Sequence, residues 1–313
     1  MKLKEFFSDS GQITRIIILT VIALVLATGS FGGYYYWDRY VDTSGNVSPL
    51  EQSVEELEQG VRDDPADIEI RLALAETYMY TGRYDEATNL AQQIVDADPA
   101  NERALFVVGI SFSSSGQYEQ AIEPLKKFAE LRDVGETSNL DTALQTSLYF
   151  LGDSYLRMEQ AQEAIPVLVR ALEINRTDAD AMYKLGLAYA ATGQHEEAIA
   201  SYENATRFVP DFMEVYQGMV DSYEAMKMPA QAAYARGMLA YAAKDYESAR
   251  QELEAVVTTE AGFVPAYLGL GLVYEQLGDF ENAKQYAEMA LQLDPESLAA
   301  VQLYGRVDAA SQK

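Results

Sequence analysis

Apolar residues recur along most of this chain at the 3.6-residue spacing of helix faces, and the helical blocks they define recur at a fixed stride. The stride is plainest over residues 145–212. There Gly152 and Gly186 are separated by the same interval as Tyr155 and Tyr189, Ala164 and Ala198, and Leu168 and Tyr202. A constant period of roughly 34 residues marks a helix–turn–helix unit that cannot bury its apolar face alone and must stack on its neighbours. The small residue at 152 and 186 allows the first helix of a pair to approach its partner closely. Ala164 and Ala198 are the matching small contacts on the second helix, and Tyr155 and Tyr189 fill the groove between turns.

The same phase extends in both directions. Pro99 follows Pro65 by one period, and Ala87 takes the small position of a second helix. Val108-Gly109, Phe112 and Ala121 keep the phase. It then slips, because the interval from Gly109 to Gly152 exceeds one period, which places a nine-residue insertion in 130–143. Ser138 followed by Asp141 resembles a helix-start cap and predicts that the next helix begins about two turns early. A second slip separates Ala198 from Ala249, and Tyr223 from Tyr274, by one and a half periods. This predicts an orphan helix at 213–226, a first helix at 230–243 carrying Gly237, and a break or change of curvature near Pro229. The last repeat is the cleanest, with Gly271, Tyr274, Gly278, Ala283, Ala287, Ala290 and Pro295. A terminal helix from Glu296 to about Ala310, with Val301 and Tyr304 on one face, is expected to close the open end.

The N-terminal region reads differently. Residues 1–15 form a polar head with Lys2, Lys4 and Arg15, and no charge falls between Arg15 and Asp38. The run Ile16–Trp37 is long enough to cross a hydrocarbon core, and its aliphatic residues favour insertion by roughly 3–6 kcal/mol in total. Tyr34, Tyr35, Tyr36 and Trp37 supply an interfacial aromatic belt, and Gly29 and Gly33 make a small-xxx-small pair. A cleaved signal peptide with Val25 and Ala27 before the cut is the alternative. The basic head predicts a cytoplasmic N-terminus and repeats exported from the cytoplasm. The expected organisation is a head at 1–15, a transmembrane helix at 16–37, a linker at 38–49 and a capping helix at 50–64. A repeat array follows at 65–228, including the orphan helix 213–226, and a second at 229–311 with a terminal cap.

The pattern of the repeats resembles the tetratricopeptide repeat family. Its sequence of aromatic, Leu-Gly, Tyr, Ala, aromatic, Ala, Pro is met by Met182, Leu185-Gly186, Tyr189, Ala198, Tyr202, Ala205 and Pro210. The resemblance covers about 65–311 and implies an all-α fold there, a right-handed α-solenoid of helix hairpins, which would follow the transmembrane helix expected at 16–37. It also implies that first helices line a concave face. Their fifth positions here are Leu72, Phe106, Tyr149, Tyr183, Gln217, Tyr234 and Leu268. Their ninth are Glu76, Ile110, Asp153, Leu187, Asp221, Met238 and Leu272. The candidate peptide-binding groove is drawn from these without Gln217, Asp221, Leu268 and Leu272. Family members that grip the carboxylate of chaperone tails place Lys and Asn there; this chain has neither, which argues against that role.

Composition narrows the function. The chain carries 49 acidic and 23 basic residues, a net charge of −26, and such a field repels nucleic acid. Acidic side chains coat a solvent face or attract basic partners. Cysteine is absent, excluding disulfides and thiolate metal sites. No glycine-rich phosphate loop or nucleophile elbow is present. His195, the single histidine, stands where the family places a packing aromatic and has no second histidine for metal or base chemistry. Asp96 and Asp98 alternate without the Gly and terminal Glu of a calcium loop. The reading is therefore not an enzyme, with no cofactor, no metal and no small-molecule substrate. It is a single-pass scaffold or assembly factor whose concave groove binds other envelope proteins, those with basic or amphipathic segments among them. An accessory subunit of a membrane complex and an organelle-surface receptor with cytosolic repeats are the alternatives.

Overall fold

The computed structural model describes residues 49–311, without the side chains of 49–52 and 136. The described residues form 15 α-helices and one 3-10 turn, with no strand. The predicted transmembrane helix at 16–37 lies outside them. No helix among the described residues is long and apolar enough to cross a membrane. The single-pass anchor and the extracytoplasmic placement of the repeats are corrected accordingly: no membrane anchor is shown.

The chain divides into two compact units between Leu74 and Ala75. The first holds helix α1 (Pro49–Asp63) and the start of α2 (Ile68–Tyr80). Asp67 caps α2 by accepting hydrogen bonds from the backbone N–H groups of Glu69 and Ile70. Gly60 faces the Ile70 side chain so closely that an added Cβ would lie 3.1 Å from it.

The second unit is a serial stack. After the end of α2 come α3 (Tyr84–Ala97), α4 (Glu102–Ser114) and α5 (Tyr118–Arg132), then a 3-10 turn (Glu136–Leu140). Next are α6 (Thr142–Arg157), α7 (Ala161–Ile174), α8 (Ala179–Ala191) and α9 (His195–Phe208). The stack continues with α10 (Met213–Ala225), α11 (Pro229–Ala242), α12 (Tyr246–Thr259), α13 (Val264–Gln276), α14 (Phe280–Leu293) and α15 (Leu298–Ser311). From α3 onward each helix packs on the next in sequence, and first helices also touch first helices of neighbouring pairs.

The period has a steric origin. In four of the pairs the glycine of the first helix receives one large side chain of the second: Gly109 takes Leu125, Gly152 takes Leu168, Gly186 takes Tyr202 and Gly237 takes Leu253. A Cβ at Gly109, Gly152 or Gly237 would come within 2.5–2.7 Å of that side chain. The small second-helix residues Ala87, Ala121, Ala164, Ala198, Ala249 and Ala283 are all fully buried. Within each pair a backbone N–H closes the turn onto the carbonyl five residues earlier, as Gln194 donates to Tyr189. The residue ahead of that donor lies in the left-handed region: Gly82, Gly116, Gly193 and Gly278, but also Glu159, Lys227 and Lys244, with φ of 58°, 59° and 63°. Side chains are strained there, by roughly 1–2 kcal/mol. Lys227→Gly and Lys244→Gly should each raise stability by about 0.5–1 kcal/mol, since relief of strain outweighs the added chain entropy; urea denaturation reads this.

These turns explain the half-period slip. Met228 closes onto Tyr223, and Asp245 closes onto Ala240, so the within-pair turn occurs on both sides of α11. The helix read as an orphan therefore has a partner. As the second helix of α10, α11 buries Ala232 at the position one period beyond Ala198. It is also the first helix of α12, receiving Leu253 at Gly237. In its second-helix role the small-meets-large pair is lost. Val220 and Arg236 stand where the period would repeat Gly186 and Tyr202, and Arg236 turns outward to Glu224 at 2.9 Å. The buried core nonetheless runs without interruption from Ala179 to Val273.

Two local expectations need correction. The helix after the insertion does not start two turns early. Asp141, not Ser138, is its N-cap, accepting from the backbone N–H groups of Ala143 and Leu144, and the inserted residues form the 3-10 turn. Ser138 instead donates to the Gly135 carbonyl within that turn. At the other end, α15 closes the core with Ala300, Leu303 and Val307; Val301 is 51% exposed, and Tyr304 packs at the margin.

The insertion is pinned electrostatically. Arg170 on α7 donates to Asp133, Asn139, Ser138 and Glu173. The Arg170 guanidinium holds the Asp133 carboxyl below its ordinary 3.8. Burial alone would raise Asp141, but the N–H donors of Leu144 and Ala143, together with Arg132, outweigh it and hold that carboxyl low as well. Groups lowered on folding contribute stability that is complete above the unfolded pKa of about 3.9 and disappears as pH falls through the folded value. Amide exchange over 133–144, corrected for intrinsic rates, should therefore accelerate below about pH 4 before that of α8 and α9.

Candidate functional site

The first helices α4, α6, α8, α10, α11, α13 and α15 carry the surface expected to meet a partner. In the first unit, Leu72 is buried and offers no surface. In the second, the acidic candidates are held by internal partners. Glu76 accepts two hydrogen bonds from Arg103, at 2.8 and 2.9 Å. Asp153 lies between Lys184 and Arg157. Asp221 accepts from Gln217.

The aromatic candidates lean on neighbours. Phe106 packs on Phe128 with ring centroids 5.2 Å apart, and Tyr183 packs on Phe212 at the same separation. Tyr234 meets Phe263 edge-on at 5.3 Å. The Lys184 ammonium sits over the ring of Tyr149. Burial, reinforced by nearby acidic groups, pushes the Tyr149, Tyr183 and Tyr234 phenols upward, so these groups present neutral rings at physiological pH. Leu187 is half-buried.

Two clefts among the described residues remain open. One, of about 490 Å³, is lined by Met79, Tyr80, Phe106, Ile110, Thr146 and Phe150. The other, of about 1000 Å³, is lined by Tyr234 and Met238 of α11, Leu268 and Leu272 of α13, and Leu298 and Leu303 of α15. The candidate residues are thus not one groove. Phe106 and Ile110 reach the first cleft, Tyr234 and Met238 the second, and Tyr149 a small polar recess with Asp178 and Asp180. Leu268 and Leu272, left out of the candidate groove, belong to the larger cleft. Its charged groups are Arg207 and Arg306, and the sequence pattern marks neither. Arg207 ends a second helix and Arg306 lies on the terminal helix, and no repeat position marks either of them as groove-facing.

The described residues contain no group of three or more His, Cys, Asp or Glu side chains that could hold a metal ion. Among the described residues the Nδ1 of His195 is buried without a hydrogen-bond partner. Helix pairs stacked in series around clefts lined by apolar first-helix side chains define a class of repeat proteins suited to holding other polypeptides. Models of one family, tetratricopeptide repeat, match residues 50–108, 149–211 and 264–297. The chain carries tetratricopeptide repeats, a scaffold-type fold that is typically non-enzymatic.

Among curated proteins, the TPR repeat-containing protein YpiA of Bacillus subtilis is 23% identical over 263 residues, covering 78% of this chain and 60% of that protein. The DnaJ homolog subfamily C member 3 homolog of Dictyostelium discoideum is 21% identical over 269 residues, covering 70% and 54%. The chain therefore spans little more than half the length of these relatives. Among solved structures, that of MamA is 29% identical, covers 55% of this chain and 95% of its own, and superposes with a TM-score of 0.49.

Proposed function

We propose that this protein is a scaffold that binds segments of other polypeptides along the first-helix face of its second unit. One observation carries the reading. The charged and aromatic first-helix groups between the clefts are satisfied internally, whereas Tyr80 and Leu298, 75% and 68% exposed, stand open at the two clefts. Large apolar side chains left uncovered beside a concavity mark an interaction site more often than isolated surface residues do. No chemistry competes with this reading: tyrosine phenols held neutral by burial supply contact area and orientation, not a nucleophile.

The test is site-specific photo-crosslinking in the native cell. Crosslinkers at Phe106 and Leu272, one per cleft, should capture partner polypeptides, while one at Glu288, exposed on the second helix α14, should not. Equal capture from Glu288 would remove the first-helix face as the binding surface.

A further inference from the structure

The larger cleft carries more than an apolar lining. Its walls come from three first helices that lie side by side, α11, α13 and α15, through Tyr234, Met238, Leu268, Leu272, Leu298 and Leu303. Two guanidinium groups stand at its margin. Arg306 is already committed, donating to both oxygens of Glu275 at 2.9 and 2.7 Å. Among the described residues Arg207 makes no hydrogen bond, ion pair or ring contact, and it is exposed. It stays without a carboxylate in a chain whose 49 acidic side chains outnumber its 23 basic ones. The acidic first-helix candidates, by contrast, are occupied: Glu76 by Arg103 and Asp153 by Lys184. The local charge pattern is thus the reverse of the global one. The unsatisfied charge at the apolar cleft is positive.

We propose that this cleft binds an apolar peptide segment bearing one side-chain carboxylate, which pairs with Arg207 while its neighbouring hydrophobic residues rest on Leu268, Leu272 and Met238. This deepens, and rests on, the reading of the first-helix face as a polypeptide-binding surface. The recognition follows from elementary chemistry. The leucine and methionine floor supplies affinity without direction. A guanidinium fork at the edge supplies register, because it engages a carboxylate through two parallel N–H donors and gives nothing comparable to an amide or an ammonium. An exposed ion pair contributes modestly, so Arg207 selects among apolar segments and is not the source of binding. The long-range repulsion between an acidic peptide and the acidic chain extends over a Debye length of about 8 Å at physiological salt, so the local pair decides the preference there.

The experiment uses the full chain and three fluorescein-labelled nonapeptides, acetylated and amidated at their ends. They share the same Leu, Met and Phe residues and differ at one position, which is Glu, Gln or Lys. Anisotropy at 0.15 M salt should show the Glu peptide binding about fivefold more tightly than the Gln peptide, corresponding to the ~1 kcal/mol of a good exposed pair. The Lys peptide should bind most weakly. Arg207→Gln, at an exposed site where the fold is indifferent, should erase the difference between Glu and Gln while leaving Gln binding unchanged. Leu268→Asp should weaken all three.

Equal binding of Glu and Gln peptides, tightest binding by the Lys peptide, or a Glu preference that survives Arg207→Gln would each overturn the proposal. If none of the peptides binds, the proposal also fails. Crosslinks from Phe106 and Leu272 then tell whether the scaffold reading survives it: capture there with no peptide binding sinks only the carboxylate partner, and no capture sinks both.

Discussion

Replacing Tyr202 by Ala is expected to cost about 3–5 kcal/mol, whereas Tyr202→Phe should leave stability unchanged or raise it by as much as ~1 kcal/mol. The side chain is completely buried. It lies between Gly186 on α8 and Gly218 on α10, its ring filling the space that a Cβ would need at either glycine. It therefore joins three helices, and its loss leaves a cavity that the stacked backbones cannot close. Its hydroxyl, however, is buried without a hydrogen-bond partner among the described residues, and burial pushes its pKa upward. A desolvated hydroxyl that forms no bond costs free energy, so its removal should not hurt. Gly186→Ala reports on the same wedge from the other side. Alanine favours the helix by about 1 kcal/mol, but its methyl overlaps the ring, and Gly218 prevents the ring from yielding; a net loss of about 1–2 kcal/mol is expected. Urea denaturation, with amide exchange over 179–225 to locate the effect, tests all three. Marked destabilisation by Tyr202→Phe would show that the hydroxyl has a partner and that the wedge is more than steric.

The second large effect concerns the end of the stack. Leu303 is 2% exposed and fills the space beside Gly271, where a Cβ would come 2.6 Å from its side chain. Leu303→Asp places a carboxylate among Ala283, Ala287 and Val307 with no cation supplied, which should cost roughly 3 kcal/mol or more. Because α15 packs, among the described residues, chiefly on α14 and α13, the loss should appear as undocking of that helix and not as global unfolding. Amides of 298–311 should lose protection while those of α8 and α9 keep theirs. Val301→Asp, on the exposed side, should change stability by less than about 0.5 kcal/mol. Comparable losses at 301 and 303 would mean that α15 is packed in another orientation.

The repeats were legible because their period comes from a steric pair that sequence displays directly. A glycine and a large residue at fixed separation, as in Gly152 with Leu168, identify both helices of a hairpin and the face on which they meet. The slips were legible as distances, yet their structural meaning was not. The nine inserted residues point to a longer helix until the competition between Ser138 and Asp141 for the helix start is resolved, and that depends on two backbone N–H groups and on Arg132. The extra half-period points to an unpaired helix because Lys227 and Lys244 occupy turns where Gly82 and Gly193 advertise the conformation openly. The face of α15 was misassigned for a related reason. Val301 and Tyr304 are spaced as one stripe of the helix, but Ala300, Leu303 and Val307 form the face that fits the closing surface.

The candidate site was legible as a face and not as a cavity. Repeat position placed Phe106, Ile110, Tyr234 and Met238 on first helices. It did not show that Tyr183 packs on Phe212, that Asp153 is taken up by Lys184, or that Arg207 reaches the larger cleft. Those facts depend on contacts between repeats, which join residues far apart in sequence, as Lys184 joins Asp153, and leave no periodic trace.

The double membership of α11 has a practical consequence for cutting the chain. Repeat arrays are usually divided after a second helix, where each fragment keeps whole hairpins. Here a cut at 227–228 leaves α10 without its cover, and one at 244–245 strands α12 against solvent with Leu253 bare. Fragments that begin or end in the extended junctions near Val209 or Glu260 respect the hairpins, so the segment from Phe212 to Glu260 behaves as one indivisible three-helix module.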